Sequence, residues 1–207
     1  MLDFADGLDS PHHPVASSHA SRLRVLAQSL AAVREIPSAC VPIQSACEAE
    51  LAANGDPSPL ASALLDLLPI VHVTRSPSYL AAPPSPGFAD NYGYAVICGP
   101  QNGPPTLLTD SQIAFGLMFL GPQTHYPLHH HPADEIYYPL TGPSFWQAGT
   151  SSWVSRQAGE IIHHPPWLPH ATLSADRPLV LLYVWAGDLL TDAAFLPAST
   201  TQGNEAP

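Results

Sequence analysis

The chain has 207 residues, of which 45% are hydrophobic and only 11% are charged, a balance that excludes an intrinsically disordered protein. Its formal net charge is -11 with only six lysine and arginine residues, which argues against nucleic acid or an anionic membrane as a partner, because phosphate binding needs concentrated cationic side chains. There is no signal-peptide pattern and no membrane-length apolar run, and the odd set of cysteines (Cys40, Cys47 and Cys98) favours buried free thiols in a reducing compartment, so we expect a cytoplasmic protein.

The first third of the chain has the pattern of α-helices. Residues 1–16 are predicted to be a loose arm, and apolar residues recur at helical spacing from residue 17 to about 35. A second helix is predicted over residues 43–53, and a third begins after Pro57-Ser58. We therefore expect residues 1–70 to form an α-helical cap that packs on the following domain, with an independent three-helix module as the alternative.

From residue 71 the pattern changes to short strands separated by turns. Residues 76–91 are rich in proline, serine and glycine and are expected to form a loop. Evenly spaced strands with glycine turns are typical of a small antiparallel barrel or jelly roll. We expect this domain to cover residues 71–190, with a C-terminal tail over 191–207. The predicted strands lie at 92–98, 113–120, 124–131, 135–140, 144–149, 152–156, 160–163, 171–174 and 179–185.

Three histidines and one glutamate recur at intervals that suit a metal site. His129 and His131 are two residues apart, so on a strand they project from one face. Glu135 can return from the next strand and His170 from a later hairpin. Imidazole and carboxylate groups suit one divalent transition metal, which leaves Zn, Fe, Mn, Co and Ni as choices. The sequence therefore predicts that one wall of a barrel delivers these four side chains to one ion.

The spacing of these residues resembles the two signatures of the cupin superfamily. Gly121 departs from the usual pattern, because it lies two residues further from the first histidine. Ordinary surface histidines are the alternative, but they would not bring the other motif residues along in register. The resemblance implies a mainly β fold, a cupin β-barrel (jelly roll), preceded by the α-helical N-terminal region. The residues that carry it are His129, His131, Glu135, Gly142, Gly159, Pro165 and His170.

Several other histidines lie near the predicted ligands. His130 lies between two of them and should point the other way. His125 shares their parity unless Pro127 interrupts the strand, so it is either a group near the metal or substrate, or an exposed loop residue. One of His163 and His164 lines the pocket, or both are strand-end residues bonded to the backbone.

Tyr137 is the candidate general base. It lies two residues beyond Glu135 and so shares that residue's face of the strand. A phenol has an ordinary pKa of about 10, and a nearby cation favours the phenolate, so we expect the pKa of Tyr137 to fall. A phenolate is a usable base. The alternative is an aromatic side chain that only fills the barrel core.

A narrower resemblance rests on two strings of residues. Tyr126-Pro-x-His129-x-His131-x-Ala-x-Glu135-x-Tyr137 and Pro165-Pro-Trp167-x-Pro-His170 look like the cupin-type dimethylsulfoniopropionate lyases, the bacterial DddL, DddQ and DddW group. The likeness covers most of residues 20–190. It implies that Tyr137 is the catalytic base and that Tyr126 binds substrate. It also implies that the metal ligands are His129, His131, Glu135 and His170.

The family resemblance implies a lyase with a small zwitterionic substrate. Dimethylsulfoniopropionate would be cleaved to dimethyl sulfide and acrylate by β-elimination, with its carboxylate on the metal and Tyr137 as the base. Aromatic faces attract a sulfonium by cation–π interaction, and the sequence does not choose between them. The candidate substrate contacts are Tyr126, His125, Trp153, Trp167 and Phe115.

Two other functions fit the same ligand set. One is another cupin enzyme, such as an Fe-dependent dioxygenase, and the other is a non-catalytic metal-containing binding cupin. Tyr137 distinguishes the lyase from both alternatives, because neither of them needs a phenolate base. The sequence leaves open the native metal, a homodimer as the oligomeric state, and closure of the pocket by the N-terminal helices.

Overall fold

The N-terminal region of the computed structural model is helical. The structure describes residues 1–28, 33–55 and 59–196. A short 3-10 helix at Phe88–Asp90 follows the last α-helix. The five helices are α1 (Leu2–Leu8), α2 (Pro14–Gln28), α3 (Gln44–Asn54), α4 (Pro59–Leu67) and α5 (Pro77–Ala81).

The helices differ from the predicted ones in three places. The prediction of a loose arm is wrong, because α1 forms and buries Phe4, Ala5 and Leu8. The helix predicted from residue 17 to about 35 is shorter than predicted, since residues 33–38 carry no regular structure. Residues 29–32 and the predicted start of the third helix lie outside the described part. The expected loop over 76–91 contains α5, which buries Tyr79. A short amphipathic turn gives too weak a periodic pattern to be recognised, and its burial decides whether it forms.

Eleven strands among the described residues form two sheets. The six-stranded sheet has the order β2-β1-β3-β10-β5-β8, and the five-stranded sheet has the order β11-β4-β9-β6-β7. All neighbouring strands are antiparallel except β1 and β2. The strands are β1 (Tyr92–Gly99), β2 (Leu108–Thr109), β3 (Ile113–Leu120), β4 (His125–His130), β5 (Asp134–Pro139), β6 (Ser144–Ala148), β7 (Val154–Arg156), β8 (Ile162–His164), β9 (His170–Ser174), β10 (Leu179–Ala186) and β11 (Ala194–Phe195).

The prediction of a mainly β, cupin-type fold after an N-terminal helical region is confirmed. The barrel is not closed, because no ladder among the described residues joins the two sheets. They pack face to face instead, and Tyr126 and Trp146 of the smaller sheet lie in one apolar cluster with Tyr137 and Tyr183 of the larger one. This cupin-like sandwich leaves a space between the sheets at the level of the candidate site.

Alternate residues of the six-stranded sheet face opposite sides. One side, the helix face, packs against α1 to α4, and the ring of Phe4 lies 6.2 Å from that of Phe115. The other side, the cavity face, points at the five-stranded sheet. The helix face consists of Phe115, Leu117, Phe119, Ile136, Tyr138, Val180, Leu182 and Val184. The cavity face consists of Met118, Glu135, Tyr137, Tyr183 and Trp185.

The cysteines are free thiols, as predicted, but one is not buried. Cys40 is exposed, whereas Cys47 and Cys98 are buried. Burial raises the pKa of each of the two buried thiols to about 12, so both stay protonated and unreactive. In the part of the chain that the structure describes, no helix combines the length and the apolar character that crossing a membrane requires.

Candidate metal centre and active site

The four predicted ligands lie together between the two sheets. His129 on β4 and His170 on β9 are direct cross-strand partners, and their ring centroids are 4.2 Å apart. His131 follows β4, and Glu135 on β5 reaches the group from the opposite sheet. One ligand nitrogen from each of the three histidines lies within 4.8 Å of the others. All four side chains are at most 2% exposed, so the group is shielded from water.

The backbone fixes which nitrogen of each ring faces the centre. The Nδ1 atoms of His129, His131 and His170 donate to the carbonyl oxygens of Pro127, Ala133 and Leu168, at 2.7, 3.2 and 2.9 Å. Each ring therefore has its proton on Nδ1 and turns the lone pair of Nε2 toward the centre. Metal-ligating histidines are oriented by this kind of bond.

Glu135 completes the group with a carboxylate that stays charged. Its Oε2 lies 2.9 Å from Nε2 of His131 and 3.2 Å from Nε2 of His170. Trp185 Nε1 donates to the other oxygen. Burial opposes ionisation of Glu135, but positive charge on the side of His131 and His170 lowers its pKa well below the ordinary value.

The donor set fits a divalent cation. With Nδ1 protonated, Nε2 of His131 and Oε2 of Glu135 are both acceptors, yet they lie at hydrogen-bond distance. Nε2 of His170 is buried and has no hydrogen-bond partner. Lone pairs brought together in a dry site need a positive charge between them. A metal ion supplies that charge, and these four side chains could be its ligands.

His164 is a fifth buried member of the group, and it is the one of the two candidates His163 and His164 that lies at the site. It pairs with Glu135 across β5 and β8, and its ring stacks on that of His170 at 4.0 Å. Its Nδ1 lies 4.0 Å from Glu135 Oε2 and has no hydrogen-bond partner. Burial holds the pKa of His164 well below the ordinary value, so the ring is neutral. Only the β5–β8 register could have distinguished His164 from His163.

Tyr126 and Tyr137 lie against the histidine group from two sides. The ring of Tyr126 stacks on that of His129 at 4.1 Å, and its hydroxyl is 2.8 Å from that of Tyr79. Tyr137 lies on the cavity face with Glu135, and its ring centroid is 6.1 Å from that of His170. Burial, and then the charge of Glu135, raise the pKa of Tyr137 well above the ordinary value. The lowered pKa expected from a nearby cation is therefore not a property of the protein groups alone.

A cavity of about 140 Å³ opens beside these side chains. Of the two carboxylates that line it, Glu135 is 1% exposed and Asp192 is exposed to solvent. None of the described residues that line the cavity is a lysine or an arginine. Seven of the 17 lining residues are aromatic, namely Tyr79, Tyr92, Tyr94, Tyr126, Tyr137, Tyr183 and Trp185.

Of the predicted substrate contacts, only Tyr126 lines this cavity. His125 is exposed and lies against Trp153, with ring centroids 5.6 Å apart. Trp167 is 57% exposed and lies against His130 on the outside. Phe115 belongs to the helix face, which corrects its suggested contact with substrate.

The remaining predicted alternatives concern His130 and His163. His130 points away from the group, as strand alternation requires. His163 bonds to Asp134 at 2.7 Å, and His19 of α2 bonds to the other oxygen of Asp134 at 3.2 Å. His163 therefore ties β8 to β5 outside the cavity.

Most residues of the cavity wall were not predicted from the sequence. Tyr79 and Tyr92 come from segments before the metal motifs, and Asp192 comes from a segment that we expected to be a tail. The segments of Tyr79 and Tyr92 contain several aromatic residues but have no motif spacing. Only the fold shows that these segments meet the segment of Asp192.

Known proteins are similar to this chain in sequence and in fold. A family model described as dimethylsulfoniopropionate lyase matches residues 15–181. The curated dimethylsulfoniopropionate lyase DddQ from Ruegeria pomeroyi DSS-3 is 34% identical over 104 residues, which are 50% of this chain and 50% of that protein. The chain thus spans about half the length of this curated relative.

Two solved structures share the fold. The crystal structure of the DMSP lyase DddQ from Ruegeria pomeroyi DSS-3 superposes with a TM-score of 0.66 and 22% identity, over 87% of this chain and 93% of that one. A chain from the crystal structures of the DMSP lyases RdDddP and RnDddQII superposes with a TM-score of 0.69 and 20% identity, over 86% of this chain and 90% of that one. At these identities the likeness concerns the fold.

Proposed function

Because this chain belongs to the dimethylsulfoniopropionate lyase family, we propose that it cleaves dimethylsulfoniopropionate to dimethyl sulfide and acrylate by β-elimination. The observation that carries the proposal is the position of Tyr137. It lies on the cavity face two residues from Glu135, between the histidine group and an aromatic cavity. A dioxygenase or a binding protein has no use for a base at this place.

We further propose that His129, His131, Glu135 and His170 hold one divalent transition metal, with Zn, Fe, Mn, Co and Ni as the choices. When bound, the ion supplies Lewis-acid stabilisation of the negative charge that develops on the substrate carboxylate. His164 packs on His170, and one ligand atom each from His164, Glu135 and His170 lie within 4.8 Å of one another, so His164 borders the same site. The donor set supports this assignment, because ligand nitrogens of the three histidines lie within 4.8 Å of one another in a dry site, and Glu135 Oε2 lies 2.9 and 3.2 Å from Nε2 of His131 and His170.

Tyr137 removes the proton next to the carboxylate. Among the protein groups, burial and then the charge of Glu135 raise the pKa of Tyr137, and a cation held by the neighbouring ligands would favour the phenolate that acts as the base. The proton ends on the phenol oxygen, the electron pair forms the carbon–carbon double bond, and the carbon–sulfur bond breaks to release dimethyl sulfide. Trp146 packs on the Tyr137 ring, with centroids 5.0 Å apart, and helps to hold it in place.

The aromatic wall suits the sulfonium end of the substrate. Rings of Tyr92, Tyr183 and Trp185 present faces that attract a cation without binding it as tightly as a carboxylate would. No described lining residue carries a competing positive charge from lysine or arginine. The cytoplasmic location and the homodimer remain predictions from the sequence.

The direct test uses the whole protein loaded separately with each of the five metals. We expect dimethyl sulfide in the headspace and an equal amount of acrylate in solution, and both should disappear after chelation and return on reloading. Equal release by the chelated protein would remove the metal from the proposal. No dimethyl sulfide with any metal, at full measured occupancy, would contradict the lyase itself.

A further inference from the structure

Two carboxylates line the cavity, and they differ in burial. Glu135 is 1% exposed, whereas Asp192 is exposed to solvent. Both carboxylates act on Tyr79, which lines the same cavity: burial is the main cause that raises its pKa to about 12, and Asp192 and Glu135 both add to the rise. Burial and then Asp192 also raise the pKa of Tyr94. The field of the Asp192 carboxylate thus reaches into the aromatic cavity.

The backbone holds Asp192 in place on both sides. Before it, Asp188 accepts hydrogen bonds from the backbone N–H groups of Leu190 and Thr191, at 3.0 and 3.1 Å, and from the Thr191 hydroxyl at 2.7 Å. After it, Phe195 of β11 stacks on Tyr79 at 4.6 Å. A segment capped at one end and paired at the other keeps its carboxylate beside the cavity at little entropic cost.

We propose that Asp192 is a specificity-determining residue that holds the cationic end of the substrate; this assignment rests on the proposed function. A zwitterion whose carboxylate goes to the buried end must place its cation toward the other end. Asp192 offers an opposite charge there, and the neighbouring tyrosine rings offer their faces. The cavity then selects a small carboxylate with a cationic group at its far end over an equally large neutral acid.

Two inert probes isolate the charge. 3-(Trimethylammonio)propionate and 4,4-dimethylpentanoate have the same shape and the same carboxylate, and they differ by a quaternary nitrogen in place of carbon. Binding of each to metal-loaded protein is measured by calorimetry for the wild type and for Asp192→Asn. Asp176→Asn is the matched control, since it makes the same charge change at an exposed residue outside the cavity lining.

We expect Asp192→Asn to weaken binding of the cationic probe about fivefold to tenfold, as for a partly exposed ion pair beside aromatic rings. Binding of the neutral probe should change less than twofold, and Asp176→Asn should change neither. The fivefold to tenfold effect should shrink as salt is raised, because an exposed charge is screened. Asp192→Glu should restore much of the preference.

Equal weakening for both probes would show that Asp192 only shapes the cavity, and no change for either would show that it does not contact the ligand. Each of these results overturns the assignment. Because the probes do not react, the test is separate from turnover. A lost preference in Asp192→Asn alongside a wild type that releases no dimethyl sulfide would sustain Asp192 as a cation contact and overturn the lyase.

Discussion

The two faces of the six-stranded sheet have opposite compositions although they come from the same strands. On β5, Ile136 and Tyr138 face the helices, and Glu135 and Tyr137 face the cavity. The helix face is apolar and packed by α1 to α4. The cavity face carries a buried carboxylate and aromatic hydroxyls. Among the described residues, it is the side of the sheet that meets the histidine group.

Alternate residues of the same strands therefore serve different roles: those on the helix face stabilise the fold, and those on the cavity face form the candidate site. Buried polar groups and a cavity both reduce stability, so the cavity face needs support from elsewhere. The helix face supplies it, because each large apolar side chain fully buried there contributes about 1.5–3 kcal/mol. Substitutions on neighbouring residues should therefore have different consequences.

The largest effect is expected at the histidines. His129→Ala, His131→Ala and His170→Ala should each lose metal content and dimethyl sulfide release together, since three remaining ligands hold an ion poorly. His130→Ala is the matched control, because His130 points outward against Trp167 and should keep both. Elemental analysis and headspace measurement decide the matter. Full occupancy in a ligand variant would remove that residue from the site.

On the helix face, the effect should be on stability. Leu117 is fully buried, and Leu117→Ala should lower the free energy of unfolding by about 2–5 kcal/mol. Met118→Ala, at the next residue but lining the cavity, should lower it less, because that side chain already borders empty space. Urea unfolding at equal metal loading measures both. A larger loss for Met118→Ala would contradict the division between the faces.

A smaller effect is expected at Tyr126, which we propose as a substrate contact. Tyr126→Phe keeps the ring stacked on His129 and removes only the hydroxyl that bonds to Tyr79. One lost hydrogen bond should reduce kcat/KM about twofold to tenfold with metal content unchanged. Tyr79→Phe breaks the same bond from the other side and should have a smaller effect. Equal effects would assign the loss to the tyrosine pair instead of a substrate contact.

Much of the site could be predicted because it depends on local rules. Strand alternation places His129 and His131 apart from His130, and it places Tyr137 beside Glu135. The jelly-roll pattern was visible as evenly spaced strands and turns. What the pattern could not give was contact between distant segments. Burial of α1 depends on the helix face, the His164 contact depends on the β5–β8 register, and Asp192 reaches the cavity only because β11 pairs with β4.

If Tyr137 is the base, removal of its hydroxyl should nearly stop turnover, whereas removal of the hydroxyl of the neighbouring Tyr138 should not. Tyr137→Phe removes the phenol oxygen on the cavity face, and Tyr138→Phe removes one on the helix face, near Gly7 of α1. Both variants should fold and keep full metal occupancy. Loss of a general base reduces the rate by about 10²–10⁴-fold.

The measurement is the initial rate of dimethyl sulfide release by the two variants at equal metal occupancy. We predict a rate for Tyr137→Phe lower than that of the wild type by about 10²–10⁴-fold, and a rate for Tyr138→Phe close to that of the wild type. A wild-type rate in Tyr137→Phe would contradict the account and move the base to another group of the cavity.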